Sequence, residues 1–358
     1  MTNPETQRTR PLRVIIAVLG VLLGFALAAA NPVTVVQARD AAAFVQPMGH
    51  RVVEGVTPPA PPYAVSNRSG TPSVLRTEDV PEPPPHDATG ERFRAGMVIT
   101  GATPHRLILF TFDDGPHWKT TPRLLDMLDA TGIHAVFFLT GDRLVGQGKR
   151  QDEQRALVKE IAARGHFVGN HTFAHVQLPL LTEPEVVEQI ELTEDLIVDQ
   201  LGARPWLLRL PGGSRSARID RIVADHGYTS MLWNLGSGDF QVDSPDAVLD
   251  TLTRVLERRE RENGERGGVI LLHDTHEWSV EAFPRIVAEL QRRNCALLEQ
   301  GEELYDIVDD PSLFFIPRAD ASPSEAAPAA IPRTEVLEAR QRRLREETAM
   351  RCSVTATL

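Results

Sequence analysis

The chain has 358 residues, 42% hydrophobic and 24% charged, an ordinary globular composition with enough apolar material for one large core. Its formal net charge of −11 argues against electrostatic capture of nucleic acid or anionic lipid, which select basic patches. A neutral or cationic polymer would not be repelled. Length does not demand a second domain, since single α/β barrels commonly occupy about 200–250 residues.

Arg8, Arg10 and Arg13 precede an uncharged apolar run from Val14 to Ala30, which ends in Ala28-x-Ala30 before Asn31-Pro32. That order of positive, apolar and small-residue regions reads as an export signal over 1–30, the alternative being an uncleaved single-span anchor. In either case the bulk of the chain is expected outside the cytosol: secreted, periplasmic or envelope-associated. Membrane contact is expected only through this segment, if it is retained.

Residues 31–95 are rich in proline, as in TPPAPP (57–62) and PEPPP (81–85). Proline at that density blocks helix and sheet interiors, so the stretch reads as an extended spacer. A catalytic domain is expected over 96–315. Residues 316–358 form a low-complexity tail, in which the charged stretch 334–351 is expected to make one exposed helix with few apolar positions to pack.

Within the central domain, apolar strand-like runs occur at 107–112, 134–139, 166–169, 206–210, 228–233, 268–272 and 295–298. Amphipathic helix-like segments intervene at 153–164, 183–201, 245–262 and 280–293, and Thr182 to Glu185 offers a capping box with Pro184 in the first turn. Seven alternating units predict a parallel sheet, as a barrel or a doubly wound layer. In such folds functional groups gather at the C-terminal ends of strands. Asp113 and Asp114 follow the first run and His171 and His175 the third. Arg209 ends the fourth, Asp239 follows the fifth and His273 ends the sixth, so polar groups converge on one rim.

Each of these residues has a bland alternative. Asp113-Asp114-Gly115-Pro116 could be a turn, and adjacent residues at a strand end point in different directions. His171 and His175, four apart, could be a surface pair or could reach one ion from a helical turn or tight loop. Two His and one Asp make a three-ligand site with open positions, as a catalytic rather than structural metal requires. Arg209 could be a surface cation, Asp239 a cap for the helix starting near Ser244, His273 a satisfied core histidine, and Asp274 its tether. Cys295 opens the run CALL, where a buried free thiol is the default, and Cys352 sits in the polar tail. Outside the cytosol a disulfide is permitted, although one pair across a large domain is no framework.

The segments TFDDGP (111–116), HTFAH (171–175), RLPGG (209–213), WNLGSGDF (233–240) and ILLH (270–273) resemble, in order and spacing, the five motifs of polysaccharide deacetylases. That family is the NodB-homology domain, carbohydrate esterase family four; the resemblance covers about 97–310 and implies a distorted (β/α) barrel of about seven parallel strands with irregular terminal extensions. It further implies that Asp114, His171 and His175 bind a divalent metal, usually zinc, though Co, Mn or Ni could occupy the same ligands. By the same resemblance Asp113 is the general base, Arg209 its partner, His273 the general acid and Asp239 the carboxylate orienting it, while the Gly212 N–H holds the tetrahedral oxyanion.

The sequence departs from the family pattern at three places. Gly212 stands where the third motif often carries Tyr, Gly236 replaces the first Asp of the fourth motif, and Phe240 replaces its final Trp, leaving an apolar wall for an acetyl methyl without an indole N–H. Trp118, Trp206, Trp233 and Trp278 could stack on sugars or pack structurally, and Trp118, beside the first motif, is the foremost candidate for stacking. The implied activity is removal of N-acetyl groups from an N-acetylglucosamine polymer: peptidoglycan, a chitin-like chain or an exported glycan. The alternatives are an O-acetyl polysaccharide esterase and a carbohydrate-binding homologue without turnover.

Overall fold

A computed structural model describes residues 97–314 and 334–355; the segments read as export signal (1–30) and spacer (31–95) lie outside the described residues. Among the described residues nine strands run in chain order as β1 (Val98–Ile99), β2 (Leu107–Gly115), β3 (Val136–Leu139), β4 (Phe167–Asn170), β5 (Leu207–Leu208), β6 (Thr229–Met231), β7 (Leu235–Gly236), β8 (Gly268–His273) and β9 (Asp306–Ile307). Seven helices alternate with them: α1 (Thr120–Thr131), α2 (Lys149–Ala163), α3 (Glu183–Leu201), α4 (Ala217–Asp225), α5 (Pro245–Asn263), α6 (Glu277–Glu299) and α7 (Thr334–Thr355).

The strands pair in parallel in the order β1-β6-β5-β4-β3-β2-β8-β7, with β9 added against the start of β2. Among the described residues β1 and β7 do not pair with each other, so the parallel strands form a half-barrel with helices outside, the distorted (β/α) barrel that the resemblance implies. Six of the seven sequence runs contain strands. The seventh, 295–298, lies inside α6. Phe283, Ile286, Leu290, Asn294 and Leu297 turn inward at helical spacing, and an apolar run of four is too short to reveal that period.

Strand alternation builds both core and site. Along β2, Ile108, Phe110 and Phe112 face the helices, whereas Leu107 and Leu109 face the concave interior with Val136, Phe138, Leu207 and Val269. Period two carries that interior face onward to Thr111 and Asp113. On β8, Ile270 and Leu272 face the helices while Val269 lies inside, so His273 follows inward. The same alternation after Leu207 on β5 brings Arg209 in. These strands are buried on both faces, which explains their near-continuous apolar sequences.

The charged stretch near the C-terminus is the helix α7, and one of its faces is docked. Leu337 enters the interior cluster, the Arg340 guanidinium holds the Asp306 carboxylate at 2.6 and 2.9 Å, and Gln341 bonds both backbone groups of Leu304. Cys352 of α7 is joined to Cys295 of α6 by a disulfide. The free buried thiol expected at Cys295 is therefore corrected: the residue is only half-buried, and the docked helix brings Cys352 to it across 57 positions. Because β9 pairs with Leu107 at the start of β2, α7 lies at the end of the sheet opposite Asp113.

Candidate active site and metal centre

Asp113 and His273 are register partners on adjacent strands. Asp113 is almost fully buried, and the wholly buried Arg209 donates to its Oδ1 at 2.8 Å. The same guanidinium also donates to Thr111 Oγ1 at 2.6 Å and to the carbonyls of Met231 and Leu232 at 3.0 and 3.1 Å. Its carbon lies 4.2 Å from the Phe138 ring centroid and 5.5 Å from that of Trp233. Burial raises the Asp113 carboxyl above its ordinary value, with Arg209 and His273 opposing the shift.

Asp114 departs from the strand pleat through a left-handed backbone, φ 69°, and its carboxylate reaches the rim. The His171–His175 segment is a loop rather than a helix, with Thr172 at φ 67° and His175 at φ 50°. Asn170 holds it: its Oδ1 accepts from Thr172 N–H at 2.8 Å while its amide donates to Ile190 carbonyl and Tyr228 hydroxyl. Nε2 of His171 and Nε2 of His175 each lie 3.4 Å from Asp114 Oδ1, an oxygen buried without any hydrogen-bond partner.

That donor set fits a metal ion. A tetrahedral centre with bonds of about 2.0–2.1 Å has ligand-to-ligand edges of about 3.3–3.4 Å. Both imidazole nitrogens already sit at that spacing from the carboxylate oxygen, and all three donor atoms lie within 4.8 Å of one another. His171 Nδ1 lies 2.8 Å from the Arg209 carbonyl and donates to it, which leaves Nε2 as the free lone pair. Burial pushes the His171 pKa down to about 3, so the ring stays neutral, as metal ligation requires.

His273 faces this centre from β8, its Nε2 3.9 Å from Asp114 Oδ2. Asp239 holds the other ring nitrogen at 2.8 Å and accepts from the His273 backbone N–H at 2.7 Å. Burial works against a charged imidazole here, yet the Asp239 hydrogen bond and charge, with Asp113 and Asp114 adding theirs, push the His273 pKa up to about 9. Asp239 is not a helix cap; Ser244 caps α5 by accepting from Ala247 N–H. Nor does Asp274 tether His273: its buried carboxylate accepts from Thr121 Oγ1 behind Gly115, where any Cβ would approach to 2.4 Å. Burial raises Asp274 to about 7.

Gly212 occupies a tight turn at φ 60°, and the two bonds that close it, Gly213 N–H to Leu210 and Ser214 N–H to Pro211, leave its own N–H out. Phe240 is 60% exposed, with its ring 6.1 Å from that of His273. Trp118 is 39% exposed, and the Arg150 guanidinium covers its ring at 5.3 Å. Trp278 supports the site structurally by donating to the Asp239 carbonyl at 2.7 Å. Sequence reading missed three supports: Ser279, whose hydroxyl donates to Asp239 Oδ2 at 2.6 Å, Thr111 under Arg209, and Asn170. Thr111 and Asn170 adjoin motif residues, and that adjacency was the available signal; Ser279 lies in a helix with no pattern of its own.

Comparison with known proteins follows the same residues. The family model for polysaccharide deacetylase matches residues 100–231, which takes in Asp113, Asp114, His171, His175 and Arg209 and stops before Asp239 and His273. The peptidoglycan-N-acetylglucosamine deacetylase of Bacillus cereus is 29% identical over 190 residues, 52% of this chain and 64% of that protein. The match thus spans under two-thirds of that relative. The chitin deacetylase of Colletotrichum lindemuthianum is 27% identical over 214 residues, 59% of this chain and 84% of that protein. A solved deacetylase with substrate aligns at 30% identity over 52% of this chain and 84% of that one, with a TM-score of 0.44. Residues 100–231 thus carry a polysaccharide deacetylase domain.

Proposed function

We propose that the protein is an exported, metal-dependent hydrolase that removes N-acetyl groups from N-acetylglucosamine-containing polysaccharide. The observation that carries this reading is the opposition of two proton-handling groups, Asp113 and His273, across the Asp114, His171 and His175 donor set. A divalent cation there, with zinc the expected one, makes a neighbouring water more acidic and the acetamide carbonyl more electrophilic.

The chain's own groups divide the remaining work. Asp113, held by Arg209, accepts the proton of the attacking water as its oxygen joins the carbonyl carbon. The Gly212 N–H donates to the oxyanion that develops. Nε2–H of His273 donates to the sugar nitrogen as the carbon–nitrogen bond breaks, releasing acetate and a free amine. Asp239 keeps that imidazole protonated and oriented, and Phe240 offers an apolar wall to the methyl. An acid held protonated up to about pH 9 favours amide over ester substrates, because an amine leaves poorly without a proton.

The activities for which those relatives are named, peptidoglycan and chitin deacetylation, support the substrate class. Export is supported by the sequence of residues 1–30 and by the Cys295–Cys352 disulfide, a bond that persists in oxidising compartments. Among the described residues no helix is long and apolar enough to cross a membrane. Release of amine and acetate from acetylated chitooligosaccharides, with and without chelator, tests the reading. Chelator-sensitive release is expected; a zinc-loaded protein that frees acetate from neither amides nor esters would refute it.

A further inference from the structure

A cleft of about 320 Å³ opens beside the proposed metal centre, lined by His117, Trp118, Asp142, Arg143, Arg150 and Gln154 among others. That volume is at the small end of ligand pockets, about 300–1,000 Å³, room for one sugar ring with its substituents. Its walls grow directly out of the site. Gln154 of α2 donates to the Pro116 carbonyl at 2.8 Å, just after Asp114. The turn carrying Asp142 and Arg143 is bonded to the metal-site loop, Gly141 N–H to the Thr172 carbonyl and Asp142 N–H to that of Phe173.

The charge of this cleft is opposite to that of the chain. On a protein of net charge −11, two guanidiniums line it, and neither Arg143 nor Arg150 has a carboxylate partner among the described residues. Asp142 offsets one of them, and neighbouring Lys119 is already paired with Glu277. Arg150 occupies the first turn of α2, where the helix macrodipole disfavours cations. Trp118 fixes its direction through the stacked contact at 5.3 Å. His117 is held below its ordinary pKa by burial and then by Arg143, Arg150 and Lys119, so these positive fields reach the mouth of the site.

We infer that this cleft is a subsite for a carboxylate on the glycan, so that acidic N-acetylated chains are preferred over neutral ones. Arg143 and Arg150 grip the carboxylate while the exposed part of Trp118 lies against the sugar that carries it. The inference rests on the deacetylase reading and narrows its substrate class. The carboxylate could belong to a lactyl ether or to a uronic acid.

The test compares kcat/KM of the zinc-loaded protein on three tetrasaccharides: tetra-N-acetylchitotetraose, an N-acetylglucosamine–N-acetylmuramic acid chain and an N-acetylglucosamine–hexuronic acid chain. Whichever acidic chain is preferred identifies the source of the carboxylate. In the Arg143→Gln/Arg150→Gln variant the acidic-to-neutral ratio should fall about tenfold, through KM, the order of a charged hydrogen bond. Arg143→Lys/Arg150→Lys should recover most of it. Equal turnover of neutral and acidic chains by the wild type, or a ratio unmoved in the Gln variant, would overturn the subsite. Calorimetric binding of the same tetrasaccharides separates the two readings. Absent turnover with charge-selective binding lost in the Gln variant would refute deacetylation and uphold the subsite; absent turnover without such selectivity would refute both.

Discussion

Replacing Asp239 by Asn isolates what holds the proposed acid in its charged form. Both Asp239 oxygens act as acceptors, Oδ1 toward His273 Nδ1 and Oδ2 toward His273 N–H and Ser279 Oγ. An amide must turn its NH2 toward one of those donors, so the substitution removes a charge and creates a clash. Raising His273 from 6.5 to about 9 corresponds to about 3 kcal/mol in favour of the imidazolium, at about 1.4 kcal/mol per pH unit. Burial opposes that charge, so the surrounding carboxylates supply more than the net value. In chelated Asp239→Asn protein the His273 titration, followed by imidazole NMR, should move down by about two units, Asp113 and Asp114 still adding their charges. The stability consequence has a defined sign. A group whose folded pKa is raised contributes fully below about pH 6.5 and loses that contribution as pH rises through about 9. The gap in unfolding free energy between chelated wild type and variant should therefore be widest near pH 6 and narrow by about 3 kcal/mol toward pH 10. A titration midpoint within half a unit of wild type would refute Asp239 as the source of the shift.

Three further outcomes are expected. Asp113→Asn should keep one metal per chain while kcat falls at least about 100-fold, and a variant with near-wild-type turnover would remove Asp113 as base; thermal melts belong beside it, since losing the counter-charge of buried Arg209 should cost about 3–5 kcal/mol. His171→Ala should lower metal content measured by atomic emission, and an unchanged stoichiometry would exclude it from the ligand set. Cys352→Ser opens a loop of 57 residues, worth up to about 4 kcal/mol in chain-entropy terms. It should lower the melting temperature while sparing kcat, because α7 lies at the far end of the sheet, and an unshifted melt would show that the bond adds nothing to the docked helix.

The proposed catalytic residues were legible in sequence because they cluster in short motifs at strand ends, where period two and register decide direction. Asp113, Arg209 and His273 all continue the inward face that Leu109, Leu207 and Val269 begin. Other features left weak traces. Strands β1, β7 and β9 are two residues each, too short for any alternation to show, and they exist because neighbouring strands supply their hydrogen bonds. The run at 295–298 has apolar content without a period long enough to separate helix from strand. Cys295 and Cys352 meet only because α7 docks through Leu337 and Arg340, a tertiary event that the charged sequence of that helix conceals.

The two adjacent carboxylates show why the site needed more than a strand. In a regular pleat Asp113 and Asp114 would point to opposite faces of the sheet. The left-handed turn at Asp114 instead brings both toward His171, whose Nε2 lies 3.5 Å from Asp113 Oδ2 and 3.4 Å from Asp114 Oδ1. The other described non-glycine residues with positive φ are Thr172 and His175, on the facing loop. Such backbone states cost about 1–3 kcal/mol each and persist where their surroundings over-determine them. Here Asn170, the Arg209 carbonyl and the bonds from the Asp142 turn hold them. Strain concentrated on one side of the rim, with an unpartnered Asp114 oxygen at its focus, is what the proposed metal site calls for. The opposite side, where Asp239 and His273 satisfy each other, shows no such strain, in keeping with its proposed task of holding a proton.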